Sequence, residues 1–241
     1  MTHRLVGADP DGVATAAGVA VAVLAGGGSR RMGRDKAAIE VEGRTLLERT
    51  LAAAGPVATP GAPVNVIGSP RSPTSAALGR WVPDLRPGQG PLAGLETALT
   101  VPGPVEAVLV VGVDHPWLAT PVLAALVDTL LAAPAELDGA VLGTADGPLA
   151  LLGAYRPSAG RQVSTLLDAG ERRLHALLDR LRLEVLTPQR WRQLDPVGAT
   201  AVDVDDADSL ATAVRWHARA SATPGRAGRS TPGSDRPRSS D

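Results

Sequence analysis

The chain has 241 residues, 44% of them hydrophobic and 20% charged, with a formal net charge of −1 and no cysteine. That is enough chain for one well-filled core, and the charge balance excludes a field able to hold nucleic acid or an acidic membrane surface, so a bound anion must be captured locally. The missing cysteine excludes a disulfide framework, a thiolate metal site and a thiol nucleophile, which agrees with a cytoplasmic setting.

Residues 1–17 are small, polar and aperiodic and are expected to be a disordered extension. The apolar stretch from Val13 to Leu24 is not read as an export signal, because Asp9 and Asp11 precede it and its end leads into glycines. No run reaches the roughly 18 apolar residues of a spanning helix, so the chain is expected neither to span nor to anchor in a membrane. Gly18–Leu24 is a continuous valine-rich run, the pattern of a central parallel strand buried on both faces.

The next segment is a loop that reads Leu24, Ala25, Gly26, Gly27, Gly28, Ser29, Arg30, Arg31, Met32, Gly33, Arg34, Asp35, Lys36. Glycines let backbone amides approach an anion closely, and a turn entered from a strand end presents unpaired N–H groups to it. Lys36 is the only lysine of the chain, which suggests a compact ammonium rather than a planar guanidinium is needed there. Loop, arginines and lysine describe a phosphate cradle. It is not a Walker A motif, since Arg34-Asp35 follow Gly33 where Lys-Ser/Thr is required. Nor is it a dinucleotide fingerprint, since position 31 is arginine where the third glycine belongs.

Further along, periodicity predicts a helix over Gly43–Ala54, a strand over Val64–Ile67, a helix over Leu92–Leu99 and a buried strand over Ala107–Val113. A helix over Thr120–Leu131 comes next, with Thr120 as its expected cap, then strands over Ala140–Leu142 and Leu149–Tyr155 and helices over Val163–Leu167, Glu171–Leu181 and Leu210–Trp216. This alternation predicts a single Rossmann-like three-layer α/β/α domain with a mostly parallel sheet, spanning residues 18–217. Residues 218–241, rich in Ser, Pro, Gly and Arg without a bulky apolar side chain, are expected to be a disordered tail.

In such sheets the ligand crevice lies outside the carboxyl ends of the strands. Asp114 directly follows the run Val108–Val113, and a carboxylate at a buried strand end needs a cation or hydrogen-bond donors. Magnesium bound between Asp114 and substrate phosphates is the natural candidate, because that ion is commonly held by one or two carboxylates plus phosphate oxygens. His175 lacks a partner carboxylate or metal-ligand spacing and reads as structural.

The segment Leu24-Ala-Gly-Gly through Arg31-Met-Gly-x-Asp-Lys36 closely resembles the opening motif of the molybdenum cofactor guanylyltransferases, the MobA-type nucleotidyltransferases. The resemblance extends over about residues 19–217. It implies that Leu24, Ala25, Gly26, Gly27, Gly28 and Ser29 wrap a nucleoside triphosphate while Lys36 and Arg31 meet its phosphates. It also implies that Asp114, in Asp114-His-Pro116, binds magnesium and nucleotide. Asp84, ahead of the family-like Gly90-Pro-Leu-Ala-Gly94, is an implied nucleotide contact. Gly68 stands where the family often has asparagine, so its contact is expected from backbone alone. Arg172 and Arg173, in Ala169-Gly-Glu-Arg-Arg173, fall on the half implied to bind the pterin acceptor.

One departure stands out: the family's closing Asn-x-Asn-Thr-Pro-Glu-like segment is here Asp203-Val-Asp205-Asp206-Ala207-Asp208. Asp205 is therefore read either as a second magnesium ligand or as the acidic start of the adjoining helix. The implied reaction transfers GMP from GTP to a molybdopterin phosphate with Mg²⁺, in the cytoplasm, with GTP and a molybdopterin-type acceptor as partners and room for other cofactor-biosynthesis proteins. A related cytidylyltransferase, or an enzyme with another acceptor, shares the fold. A non-catalytic GTP-binding module is the alternative outside enzymes.

Overall fold

The computed structural model describes residues 18–26 and 35–222. Strand β1 (Val19–Leu24) runs to the carboxyl edge of a seven-stranded sheet. After a short 3-10 turn at Lys36–Ala38 come the two-residue strands β2 (Glu40–Val41) and β3 (Arg44–Thr45), which pair as a hairpin. Gly43, expected to open a helix, sits in the hairpin turn at φ 77°. The helix α1 (Leu46–Ala54) starts later, at a capping box in which Thr45 and Glu48 satisfy each other's backbone N–H.

The remaining elements are β4 (Val64–Ile67), α2 (Pro73–Ala76), β5 (Arg80–Val82), α3 (Pro91–Thr100), β6 (Ala107–Gly112) and α4 (Thr120–Ala132). They are followed by β7 (Gly139–Thr144), β8 (Gly147–Tyr155), α5 (Gly160–Asp168), α6 (Leu174–Leu178), β9 (Leu183–Leu186), α7 (Pro188–Trp191) and α8 (Ala207–Ser221). The strand order is β5-β4-β1-β6-β8-β7-β9. β1 is parallel to both β4 and β6, whereas β8 runs antiparallel to β6 and β7. The mostly parallel three-layer architecture read from the sequence is the one found.

Period-two alternation fills both layers. From β1, Val19, Val21 and Val23 join the core made with α1, α4 and α8, while Ala20, Ala22 and Leu24 join that made with α3, α5 and α6. Further expectations change, and two strands appear that were not expected. The helix predicted over Glu171–Leu181 is shorter, because Gly170 takes φ 84° and the chain turns through residues 171–173 before α6 begins. Strands β5 and β9 lie at the two sheet edges, where half of the surface is solvated and the apolar signal is weak. Thr120 is not the cap of α4, a place taken by the Ala119 backbone; its hydroxyl donates to the Ala53 carbonyl oxygen instead. Finally, α8 extends to Ser221, beyond the expected domain edge at 217, and His217 stacks on Trp117 with ring centroids 4.4 Å apart. Among the described residues no helix is long and apolar enough to cross a membrane.

Candidate active site

Pairing register sets the site. Leu24 of β1 is level with Ile67 of β4 and with Gly112 of β6, so the loops leaving the three strands emerge at one edge. Leu24 is buried in the core, its carbonyl accepts from the Val113 N–H and the Ala25 N–H donates to Ile67, so both residues are engaged in the sheet. Gly26 is the first exposed position beyond it. Gly27, Gly28, Ser29 and Arg31 lie outside the described residues.

Two glycines permit the crowding at this edge. Gly68 has φ 125°, and a Cβ there would come 3.0 Å from both the Cα and the nitrogen of Gly26. It is thus required by backbone conformation and by close approach alike. A Cβ on Gly26 would stand 3.4 Å from Asp84 Oδ2, and one on Gly94 of α3 would stand 3.6 Å from Asp84 Oδ1. The structure therefore gathers Gly26, Gly68, Asp84 and the Gly90–Gly94 segment into one patch. Burial beneath α3 holds the Asp84 carboxyl above the usual carboxylate range.

A charged centre forms where Lys36 meets two aspartates. Lys36 is buried to 8% exposure, and its Nζ lies 3.5 Å from Asp114 Oδ2 and 3.4 Å from Asp205 Oδ1. Asp205 is brought in by a backbone bond from the Val204 N–H to the Asp114 carbonyl. The acidic helix start, the alternative role for Asp205, belongs to its neighbour: the Asp206 carboxylate caps α8 by accepting the Ser209 N–H. Those hydrogen bonds from Ser209 hold the Asp206 carboxyl below its usual range. Gly112 is a further requirement the motif reading missed, since a Cβ there would collide with Asp114 Oδ1. Sequence reasoning also missed His115, whose ring is buried with Nε2 3.8 Å from Asp114 Oδ1 and whose Nδ1 has no partner among the described residues.

Arg172 and Arg173 do not join this centre. The loop that carries them meets the α3 start, where a Cβ on Gly90 would be 4.0 Å from the Arg172 carbonyl. Arg172 donates to the carbonyls of Leu167 and Glu171, and Arg173 is paired with Glu171 at 2.7 Å. Hydrogen bonds from Arg173 pull the Glu171 carboxyl down to about 2. His175 is exposed on α6.

Asp114 and Asp205 fit a hard divalent ion held jointly with substrate. They offer partly exposed carboxylate oxygens within 3.5 Å of Lys36 Nζ, and among the described residues no three-ligand cluster forms a dedicated cage. Magnesium typically takes one or two carboxylates and completes its shell with phosphate oxygens and water.

A mostly parallel sheet whose central strand ends gather close-packed glycines, a buried lysine and two aspartates has its ligand crevice at those ends. The chain belongs to the MobA-like NTP transferase family, whose domain model matches residues 21–185. It is 41% identical over 157 residues to a probable molybdenum cofactor guanylyltransferase of Deinococcus radiodurans, covering 64% of this chain and 75% of that one. In fold it is similar to the molybdopterin-guanine dinucleotide biosynthesis protein A of Archaeoglobus fulgidus, with a TM-score of 0.69 at 24% identity over 83% of this chain and 99% of that one. A Mycobacterium tuberculosis protein solved in complex with manganese has the same fold, with a TM-score of 0.54 at 20% identity over 83% of this chain and 100% of that one.

Proposed function

We propose that this chain transfers GMP from GTP to the terminal phosphate of a molybdopterin-type acceptor, giving the guanine dinucleotide cofactor and pyrophosphate. The observation that carries the reading is Lys36 held between Asp114 and Asp205 at the level where β1, β4 and β6 end. An acceptor phosphate oxygen attacks the α-phosphorus of GTP, the bond from that phosphorus to the bridging oxygen of the β-phosphate breaks, and pyrophosphate leaves. No covalent enzyme intermediate is required, because such transfers rest on positioning and charge neutralisation.

Each residue has one task in this reading. Lys36 and Arg31 neutralise phosphate charge, and the amides from Gly26 through Gly27 and Gly28 to Ser29 line the triphosphate. Gly68 offers the base or ribose its backbone, and Asp84 contacts the nucleotide beneath α3. Asp114 and Asp205 hold Mg²⁺, which when bound offsets charge on the α-phosphate and the departing pyrophosphate. Arg172 and Arg173 face the acceptor. The relatives' names support guanine as the base and molybdopterin as the acceptor.

The purified protein, given magnesium, a molybdopterin-type acceptor and either GTP or CTP, tests this by pyrophosphate release together with dinucleotide product. Turnover with GTP is expected. Turnover with CTP alone would move the protein to the cytidylyl branch, and nucleotide binding without product from either would defeat the transfer reading.

A further inference from the structure

Lys36 needs more than its two aspartates. Both draw the ammonium into the protein when no phosphate is present, so something else must keep its backbone aimed as the ammonium moves from carboxylate to phosphate. The residue immediately before it supplies that anchor. Asp35 caps the turn Lys36–Ala38, its Oδ1 accepting from the Ala37 N–H at 3.2 Å. A cap uses one carboxylate oxygen. The other oxygen, Oδ2, accepts from two serine hydroxyls far along the chain, Ser72 at 2.9 Å and Ser75 at 2.5 Å.

Those serines are built for the purpose. They form the reciprocal capping box of α2, and Ser75 is fully buried. The Ser75 carbonyl in turn accepts the Trp81 indole N–H at 2.9 Å, which ties α2 to β5. Since α2 comes after β4 and its terminal Gly68, Asp35 joins the segment that carries Lys36 to the segment that leaves β4. A three-residue turn has no need of two hydroxyls from 37 and 40 residues away. Hydroxyl-to-carboxylate bonds of this length are charge-assisted and among the stronger ones.

We infer that Asp35 is a positioning residue, which through Ser72 and Ser75 fixes the backbone of Lys36 so that its ammonium is presented to the nucleotide's phosphates. This rests on the proposed transfer of GMP. It predicts that Asp35→Ala lowers kcat/KM for GTP roughly 10- to 100-fold, the scale of a mispositioned contact. GTP binding should weaken by a similar factor, while binding of guanosine, which has no phosphate, should not change. In a Lys36→Ala background the same substitution should add less than about twofold, because a residue acting only through Lys36 has nothing left to position. Ser72→Ala with Ser75→Ala leaves the cap to Ala37 intact and should reproduce a loss of roughly three- to tenfold, which keeps the test open if Asp35→Ala fails to fold.

An equal factor in both Lys36 backgrounds, or an equal loss of guanosine and GTP affinity, would mark Asp35 as merely structural and overturn the inference. So would normal kcat/KM in the double serine variant. Crippled Lys36→Ala beside unaffected Asp35→Ala would overturn the positioning role alone, whereas unimpaired Lys36→Ala would overturn the transfer reading with it.

Discussion

The two halves of the sheet treat polar groups differently. In β5-β4-β1-β6 every pairing is parallel, and the strand ends open on the site. Among the described residues, all the buried side-chain atoms without a hydrogen-bond partner belong to Asn65, Gln89, His115 and Trp117, on β4 or in the loops of this half. Across β6, where β8 turns antiparallel, the polar groups are closed. The Tyr155 hydroxyl donates to the Ala150 carbonyl, the Trp191 indole to Gly143, and Arg156 to three carbonyls around the end of α4. Buried polar groups left open are rare and mark strain or function. The half whose strand ends form the candidate site carries them, and in the other half they are paired.

Removing a charge from each half should separate the two most. Asp114→Ala is expected to lower turnover about 100- to 1,000-fold, the scale of losing one preorganised electrostatic contact. Arg173→Ala removes a guanidinium already paired with Glu171, and should raise only the acceptor KM, by roughly two- to fivefold, at unchanged GTP KM. Steady-state kinetics on both substrates distinguishes them. Near-normal turnover in Asp114→Ala would erase the division.

Stability should move the opposite way. Where β8 slips register against β7, the Tyr155 hydroxyl satisfies Ala150 at 2.6 Å inside the core. Tyr155→Phe strands that carbonyl and should cost about 1 to 3 kcal/mol in denaturant unfolding. Asn65, with 1% exposure, has neither amide nitrogen nor oxygen partnered among the described residues. Asn65→Val replaces an unsatisfied amide on a parallel strand with a β-branched side chain and should gain about 1 kcal/mol. A loss there would show that Asn65 is held by an interaction of the native state.

Legibility in the sequence divides the same way. β1 and β6 are buried on both faces and therefore read as unbroken apolar runs, so the site's level and Asp114 were visible from hydrophobicity alone. Lys36 was visible because a lone lysine among arginines is a chemical choice. The edge strands β5 and β9 were not, since Arg80 and Glu184 break their apolar pattern where solvent permits it. Asp35 and His115 were hidden for another reason. The partners of Asp35, Ser72 and Ser75, are identified by position in space, since nothing in the residue order says that position 35 meets position 75, while the residue order does not show that the ring of His115 is buried. Asp205 and Asp206 were ambiguous in the sequence, and the fold puts the Asp205 carboxylate 3.4 Å from Lys36 while Asp206 caps α8.

The smallest expected effect concerns pH. Asp84 lies on the site side, and burial raises its carboxyl above the ordinary range. A raised folded value means that the fold disfavours the charged form, so Asp84 lowers stability at neutral pH and the penalty disappears as pH falls through the folded value toward the ordinary aspartate pKa of about 4. Asp84→Asn should therefore melt higher than the parent at pH 7, with the difference shrinking as pH falls toward about 4 and absent below it. The same substitution should weaken nucleotide binding, because a contact retained at a cost to stability belongs to function. Melting curves at the two pH values and one nucleotide titration test both. If Asp84→Asn gained stability and bound GTP as before, Asp84 would be an aspartate strained without purpose, and the site would end at Gly26.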